Sequence, residues 1–241
     1  MSHLFTNLAK VIFILIFSLN LGAKQIEEGR DYLVLKEPFL DANSTMIEIF
    51  SYDCPFCYRY DQNITSTIMS AFLDMRYEPI HLQDKPLYGK AASRLLAVML
   101  MLDRDDDINL FSDESKFKRA KMKLYNAYHN RSFSAKEVES AEAIFRNILQ
   151  ELGVELDEYE KLKNDEKVLA ILDSWNNERV YEAVKLQGIP AFIVDGKYLI
   201  KTAAVGGIDD MIELIKELIE LSKRVVGEHN FLNLNKSKEF K

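Results

Sequence analysis

The sequence predicts an α/β fold, a β-α-β…β-β-α frame interrupted by about 100 residues of helix. Three observations predict it. Thr45–Phe50 is a nearly unbroken apolar run, the pattern of a strand buried on both faces, and it leads straight into Cys54-Pro55-Phe56-Cys57. Residues 87–187 carry apolar side chains at three- and four-residue spacing, the period of helices. Gly188–Val194 then returns to strand type, with Asp195-Gly196 as a hairpin turn and Lys197–Lys201 as a second apolar run.

Taken in order, residues 1–23 read as a cleavable signal peptide: Lys10 precedes the apolar run Val11–Phe17, and Leu21 and Ala23 suit a cleavage site before Lys24. A membrane-spanning helix would need about 20 apolar residues, more than this segment offers. Residues 24–86 form the first part of the frame. In it Tyr32–Leu35 is a short strand, a turn follows around Pro38 and Asp41–Ser44, and a helix over roughly 55–74 begins at Pro55, a residue tolerated in a first turn. Tyr77–Leu82 is the next strand, and Pro79 points to a sheet edge or an irregular start.

Within the helical insertion, 87–187, Leu95, Val98, Met99 and Leu102 share one face. Val138, Ala141, Ile144, Phe145, Ile148, Leu149 and Leu152 make a second stripe, ended by Gly153. Val168, Ile171, Leu172 and Trp175 make a third, and core packing accounts for all of them. Residues 188–227 close the frame: after Gly206-Gly207 comes an amphipathic helix with Ile208, Met211, Ile212, Ile215, Leu218, Ile219 and Val225 inward, and 228–241 is expected as a flexible tail.

The composition narrows the function. At 241 residues, 48% hydrophobic and net charge −7, the chain is an ordinary globule without the basic footprint of a nucleic-acid binder. It has two cysteines, three apart. A disulfide closing so short a loop removes little entropy from the unfolded chain, so chemistry explains the pair better than stability does. His3, His81, His129 and His229 lack ligand spacing, and with no second cysteine pair neither a zinc site nor any other cofactor is expected.

Cys54 falls at the N-terminus of a helix, where unpaired amides and the positive end of the dipole favour a thiolate. Cys57 lies one turn further in. Cys54 is therefore the candidate nucleophile and Cys57 the resolving thiol. Glu48, six residues before Cys54, sits mid-strand on the face of Met46 and Phe50; burial there would raise its pKa, and Asp61 and Arg76 are its candidate charge neighbours.

The segments Glu48–Tyr58 and Gly188–Tyr198 resemble the two signature segments of the DsbA family, and the likeness spans nearly the whole chain after residue 23. The resemblance implies a thioredoxin fold carrying an inserted all-helical subdomain, a periplasmic location, and oxidation of dithiols in reduced, unfolded exported proteins through a mixed disulfide. It also implies reoxidation by a DsbB-type, quinone-linked membrane partner. By the same resemblance Pro190 is a cis-proline facing the cysteine pair. Ile189, with Pro55 and Phe56, would then meet an extended substrate, and Glu48 matches the family's buried acid, placed to ferry a proton for Cys57. Phe56 departs from the common histidine, which removes a cationic helper, and Asp53 adds a negative neighbour; the helix amides must then do more of the stabilising. Pro55-Phe56 is the inner pair of the family's DsbL branch. A reductase or isomerase, and a non-catalytic chaperone with a passive crosslink, are the alternative readings. A monomer is expected. Asn43 and Asn63 fit an extended glycosylation pattern, Asn43 in a loop and Asn63 on a helix.

Overall fold

A five-stranded sheet organises the molecule, in the order β1-β5-β4-β2-β3. Its strands are β1 (Tyr32–Val34), β2 (Thr45–Phe50), β3 (Arg76–His81), β4 (Ala191–Val194) and β5 (Tyr198–Ile200). The structure is a computed structural model that describes residues 25–130 and 138–239, so the expected signal peptide lies outside the described residues. Only β2 and β3 run parallel; β2–β4, β4–β5 and β5–β1 are antiparallel. Every residue of β2 is buried, as its apolar run requires. Pro79 does lie on an edge strand, where a missing donor costs nothing. Asp195 and Gly196, both at positive φ, make the tight β4–β5 turn.

The helix after β2 is shorter than its expected span. It breaks at Ile64 into α1 (Pro55–Asn63) and α2 (Thr65–Ser70). The run Ile64-Thr65-Ser66-Thr67-Ile68 is rich in β-branched residues, which lose side-chain freedom in a helix.

Among the described residues six helices fill the insertion: α3 (Gly89–Asp105), α4 (Lys116–His129), α5 (Val138–Glu151), α6 (Leu156–Leu162), α7 (Glu166–Trp175) and α8 (Glu178–Gln187). α3 differs from the one-sided expectation: Leu95 to Met101 are all buried, because α3 is covered from several sides. Its last turn is tied to the next helix by Asp103. This carboxylate accepts from the amides of Lys116 and Phe117 (both 2.9 Å) and the Ser115 hydroxyl (2.7 Å), capping α4. In the second stripe Ala141, Ile148, Leu149 and Leu152 are buried; the Val138 side chain lies outside the described residues.

Two apolar clusters flank the sheet. One joins Ile47, Ile49 and Ile193 to the helical insertion; the other joins Met46, Phe192 and Val194 to α2 and the last helix, α9 (Ile208–Glu239). Among the described side chains of α9, Met211, Leu214, Ile215 and Leu218 are buried, while Val225 is exposed rather than inward. The helix continues through Glu239, so 228–239 extends α9 instead of forming the expected tail.

Candidate active site

Local chemistry places the two sulfurs. Cys54 is the N-cap of α1 in extended conformation, and Pro55 opens the first turn, where its missing N–H is no loss. The Cys57 amide donates to Cys54 Sγ at 3.3 Å, so sulfur takes the place of the usual capping oxygen. Both cysteines are free thiols. Cys54 is 6% exposed and Cys57 fully buried.

Their proton affinities diverge. The Cys54 thiol is held down from the usual 9.0 to about 6, chiefly by the hydrogen bond from the Cys57 side chain, with the Cys57 and Phe56 amides and the charge of Lys85 adding to it against partial burial. Lys85, in the loop after β3, supplies a positive charge that position 56 lacks. Sequence reasoning missed it because chain separation hides it. Asp53 turns its carboxylate to the Ser51 hydroxyl, 2.6 Å away. Burial above all pushes the Cys57 thiol far up, and the neighbouring Cys54 sulfur and Glu48 charge add to the effect.

The second segment meets the first. The Ile189–Pro190 peptide bond is cis. Cys54 Sγ lies 3.5 Å from the Ile189 carbonyl oxygen, to which the thiol donates. Pro190 is buried, Ile189 half-buried, Pro55 exposed and Phe56 58% exposed beneath the Arg59 guanidinium, 5.3 Å from its ring centre. Thus the segment before β4 meets the start of α1 at Cys54, near the surface, with Pro55 and Phe56 exposed next to it in the chain and Cys57 and Pro190 buried.

Glu48 lies below that surface, fully buried. Its Oε2 accepts from the Tyr77 hydroxyl and from Lys121 Nζ at 3.1 Å, while Oε1 has no hydrogen-bond partner. Burial, with the Asp61 charge, pushes this carboxyl up to about 7 against the pull of Lys121 and Tyr77. Of the two expected neighbours Asp61 belongs to the cluster and Arg76 does not. Arg76 points outward to pair with Glu78 at 3.0 Å, and the cation beside Glu48 is Lys121. Lys121 was legible in principle. It interrupts an apolar stripe of Phe117, Ala120, Leu124 and Tyr125 on α4, where a lysine demands a buried partner. Buried His81 stacks on Tyr52 and contacts Ser93 Oγ at 2.6 Å; burial lowers it to about 3, so it stays neutral.

This geometry is matched in known proteins. Residues 108–218 fit the family model of the DsbA-like thioredoxin domain. The thiol:disulfide interchange protein DsbL of Lelliottia amnigena is 37% identical over 209 residues, covering 86% of this chain and 93% of that protein. The chain belongs to the DsbA family. The crystal structure of DsbL from Salmonella enterica serovar Typhimurium superposes with a TM-score of 0.76 at 38% identity, over 82% of this chain and 98% of that one. DsbA of Salmonella typhimurium is more distant, 24% identical over 192 residues, 77% of this chain and 82% of that protein. The fold is therefore the thioredoxin fold with a helical insertion, nearer to the DsbL branch. The chain is a thiol:disulfide oxidoreductase. The relatives are named for thiol:disulfide interchange, a reaction that takes a second thiol or disulfide as partner.

Proposed function

We propose that the chain works in the periplasm, after loss of residues 1–23, as a monomeric dithiol oxidase whose Cys54–Cys57 disulfide passes to reduced exported proteins. A client thiolate attacks Cys54 Sγ, the sulfur nearer the surface, forming a mixed disulfide as the S–S electron pair moves to Cys57. Cys57 leaves into a buried site that disfavours its charge, so it takes a proton, and Glu48, with Oε1 unpartnered, is the acid that gives it. The second client thiolate then attacks the client sulfur and expels Cys54 as a thiolate. The extended client lies along Ile189 and Pro190, with Pro55 and Phe56 forming the apolar floor. A DsbB-type, quinone-linked membrane partner restores the disulfide.

The observation that carries this reading is the opposed proton affinity of two sulfurs one helical turn apart. Its test is stoichiometric oxidation of a reduced, unfolded protein by the purified disulfide form. Cys54→Ser is expected to abolish transfer and Cys57→Ser to retain Cys54 reactivity without donating a disulfide. Full transfer by Cys54→Ser would overturn the assignment, and a reduction potential as low as thioredoxin's, about −270 mV, would make the chain a reductase.

A further inference from the structure

Beneath the cysteines five polar groups form one connected cluster. Lys121 Nζ donates to Glu48 Oε2 at 3.1 Å, to Asp61 Oδ1 at 2.7 Å and to the Tyr77 hydroxyl at 3.3 Å. The Tyr125 hydroxyl donates to Asp61 Oδ2 at 2.7 Å, and that of Tyr77 to Glu48. The side chains of Glu48, Lys121 and Asp61 are 0%, 4% and 9% exposed. One cation thus stands between two carboxylates, an arrangement that cannot be neutral with both ionised.

The carboxylates are not equivalent. Asp61 follows Cys57 by four residues, on the same face of α1, and lines a cavity of about 130 Å³ between α1 and α4. Lys121, Tyr77, Gln62, Ser66 and Lys118 share that wall, and Glu48 does not reach it. The wall mixes these polar groups with Leu110, Phe111, Phe117 and Met122, and the polar side has room for water. Asp61, 9% exposed and on the cavity wall, holds Lys121 at 2.7 Å and Tyr125 at 2.7 Å, whereas Glu48, at 0%, has Lys121 at 3.1 Å, Tyr77 and an Oε1 without a partner.

We propose that Asp61 and Lys121 are positioning residues for the thiol exchange: Asp61, on the solvent side, takes the larger share of the Lys121 charge and so leaves Glu48 holding the proton that Cys57 receives. The inference rests on the Glu48 role above and deepens it. Every charged or titratable group facing Glu48 is included: Tyr77 from β3, Cys57 and Asp61 from α1, Lys121 and Tyr125 from α4. From β4 the facing residue is Phe192. The proton balance closes: Glu48 gives one proton to the departing Cys57 sulfur, becomes the second anion beside Lys121, and regains a proton from water through the cavity wall.

The two residues act with opposite sign, which no merely structural role would produce. The assay mixes the oxidised full chain rapidly with 5-thio-2-nitrobenzoate, a thiolate throughout pH 5.5–8.5, and follows mixed-disulfide formation. In the unaltered protein the rate should fall with rising pH, with an inflection near 7, where Glu48 loses its proton. Asp61→Asn should move the inflection down by about one pH unit and slow the reaction at pH 7 about five-fold. Lys121→Met should move it up, and Asp61→Asn/Lys121→Met should titrate below Lys121→Met alone. Should Lys121→Met fail to fold, the direction of the Asp61→Asn shift decides, since that variant keeps Lys121 paired with Glu48. Shifts in one direction, or none, overturn the inference. Glu48→Gln should flatten the profile; if it does not, the Glu48 role itself falls, which separates the two failures.

Discussion

Replacing Cys54 with Ala in the reduced protein should weaken folding by an amount that grows with pH. The Cys54 thiol has its folded-state pKa depressed from 9.0 to about 6. A depressed acid stabilises the fold above its unfolded pKa, and the contribution fades as pH falls through the folded value. Between pH 5 and pH 8 the unfolded thiol stays protonated while the folded one ionises. Two of the three pH units between 6 and 9 are then realised, about 2.7 kcal/mol at most. Solvent near the surface sulfur screens this, and about half, roughly 1.3 kcal/mol, is the working figure. Glu48, raised to about 7, acts oppositely: its contribution is present below 4.5 and lost as pH rises through 7. Glu48 is present in both proteins, so the difference between them removes it. Urea unfolding of reduced wild type and Cys54→Ala at pH 5, 6.5 and 8 measures that difference, with thiolate absorbance as the direct check. A difference constant from pH 5 to 8 would show that the folded helix end does not stabilise the thiolate, and the oxidase would lose its driving force.

Three further outcomes follow from the same geometry. Lys85→Gln should raise the titration of Cys54 slightly, and the change should vanish at about 1 M salt because Lys85 is exposed and its field is screened. Asp103→Ala strips three donors of their buried acceptor and should cost roughly 3 kcal/mol, read as a lowered Tm by calorimetry, while the Cys54 titration stays in place. Phe56→Ala, at an exposed position, should change stability by less than about 0.5 kcal/mol yet slow oxidation of an unfolded client in a stopped-flow assay.

What the sequence disclosed was whatever local physics decides. The apolar run of β2, the Asp195-Gly196 turn and the cysteine at a helix start each follow from a few neighbouring residues, and each stands where it was expected. The helix break at Ile64 was also local, written in β-branched residues, but the apolar pattern across it concealed the boundary. Partners of buried charge are a different matter. Glu48 announced itself as a carboxylate in an apolar strand, yet its cation comes from Lys121, 73 residues along the chain, and only tertiary packing chooses Lys121 over Arg76. Lys85 is a still harder case, since an exposed lysine in a loop carries no signature until the loop's position is known. The pair Ile189 and Pro190 beside Cys54 was reached only through family resemblance, because nothing in a Gly-Ile-Pro-Ala run by itself points to a sulfur 135 residues away.

In the proposed exchange the two sulfurs also determine what happens between the first and second steps. Once a client is joined to Cys54, two nucleophiles compete: Cys57, already in place, and the second client thiol, which must find its way. Proximity favours Cys57 by a wide margin, as intramolecular attack generally does. Attack needs a thiolate, however, and burial together with the adjacent Glu48 charge holds Cys57 protonated at any physiological pH. Escape back to the disulfide is therefore slow. Expulsion of Cys54 by the client is fast, because a sulfur that titrates near 6 is a good leaving group. The same burial that demands an acid on the way in protects the mixed disulfide on the way out. A chain with two equivalent thiols at these positions would release its clients reduced as often as oxidised. The asymmetry between Cys54 and Cys57, rather than the low proton affinity of Cys54 alone, is what commits a client to oxidation.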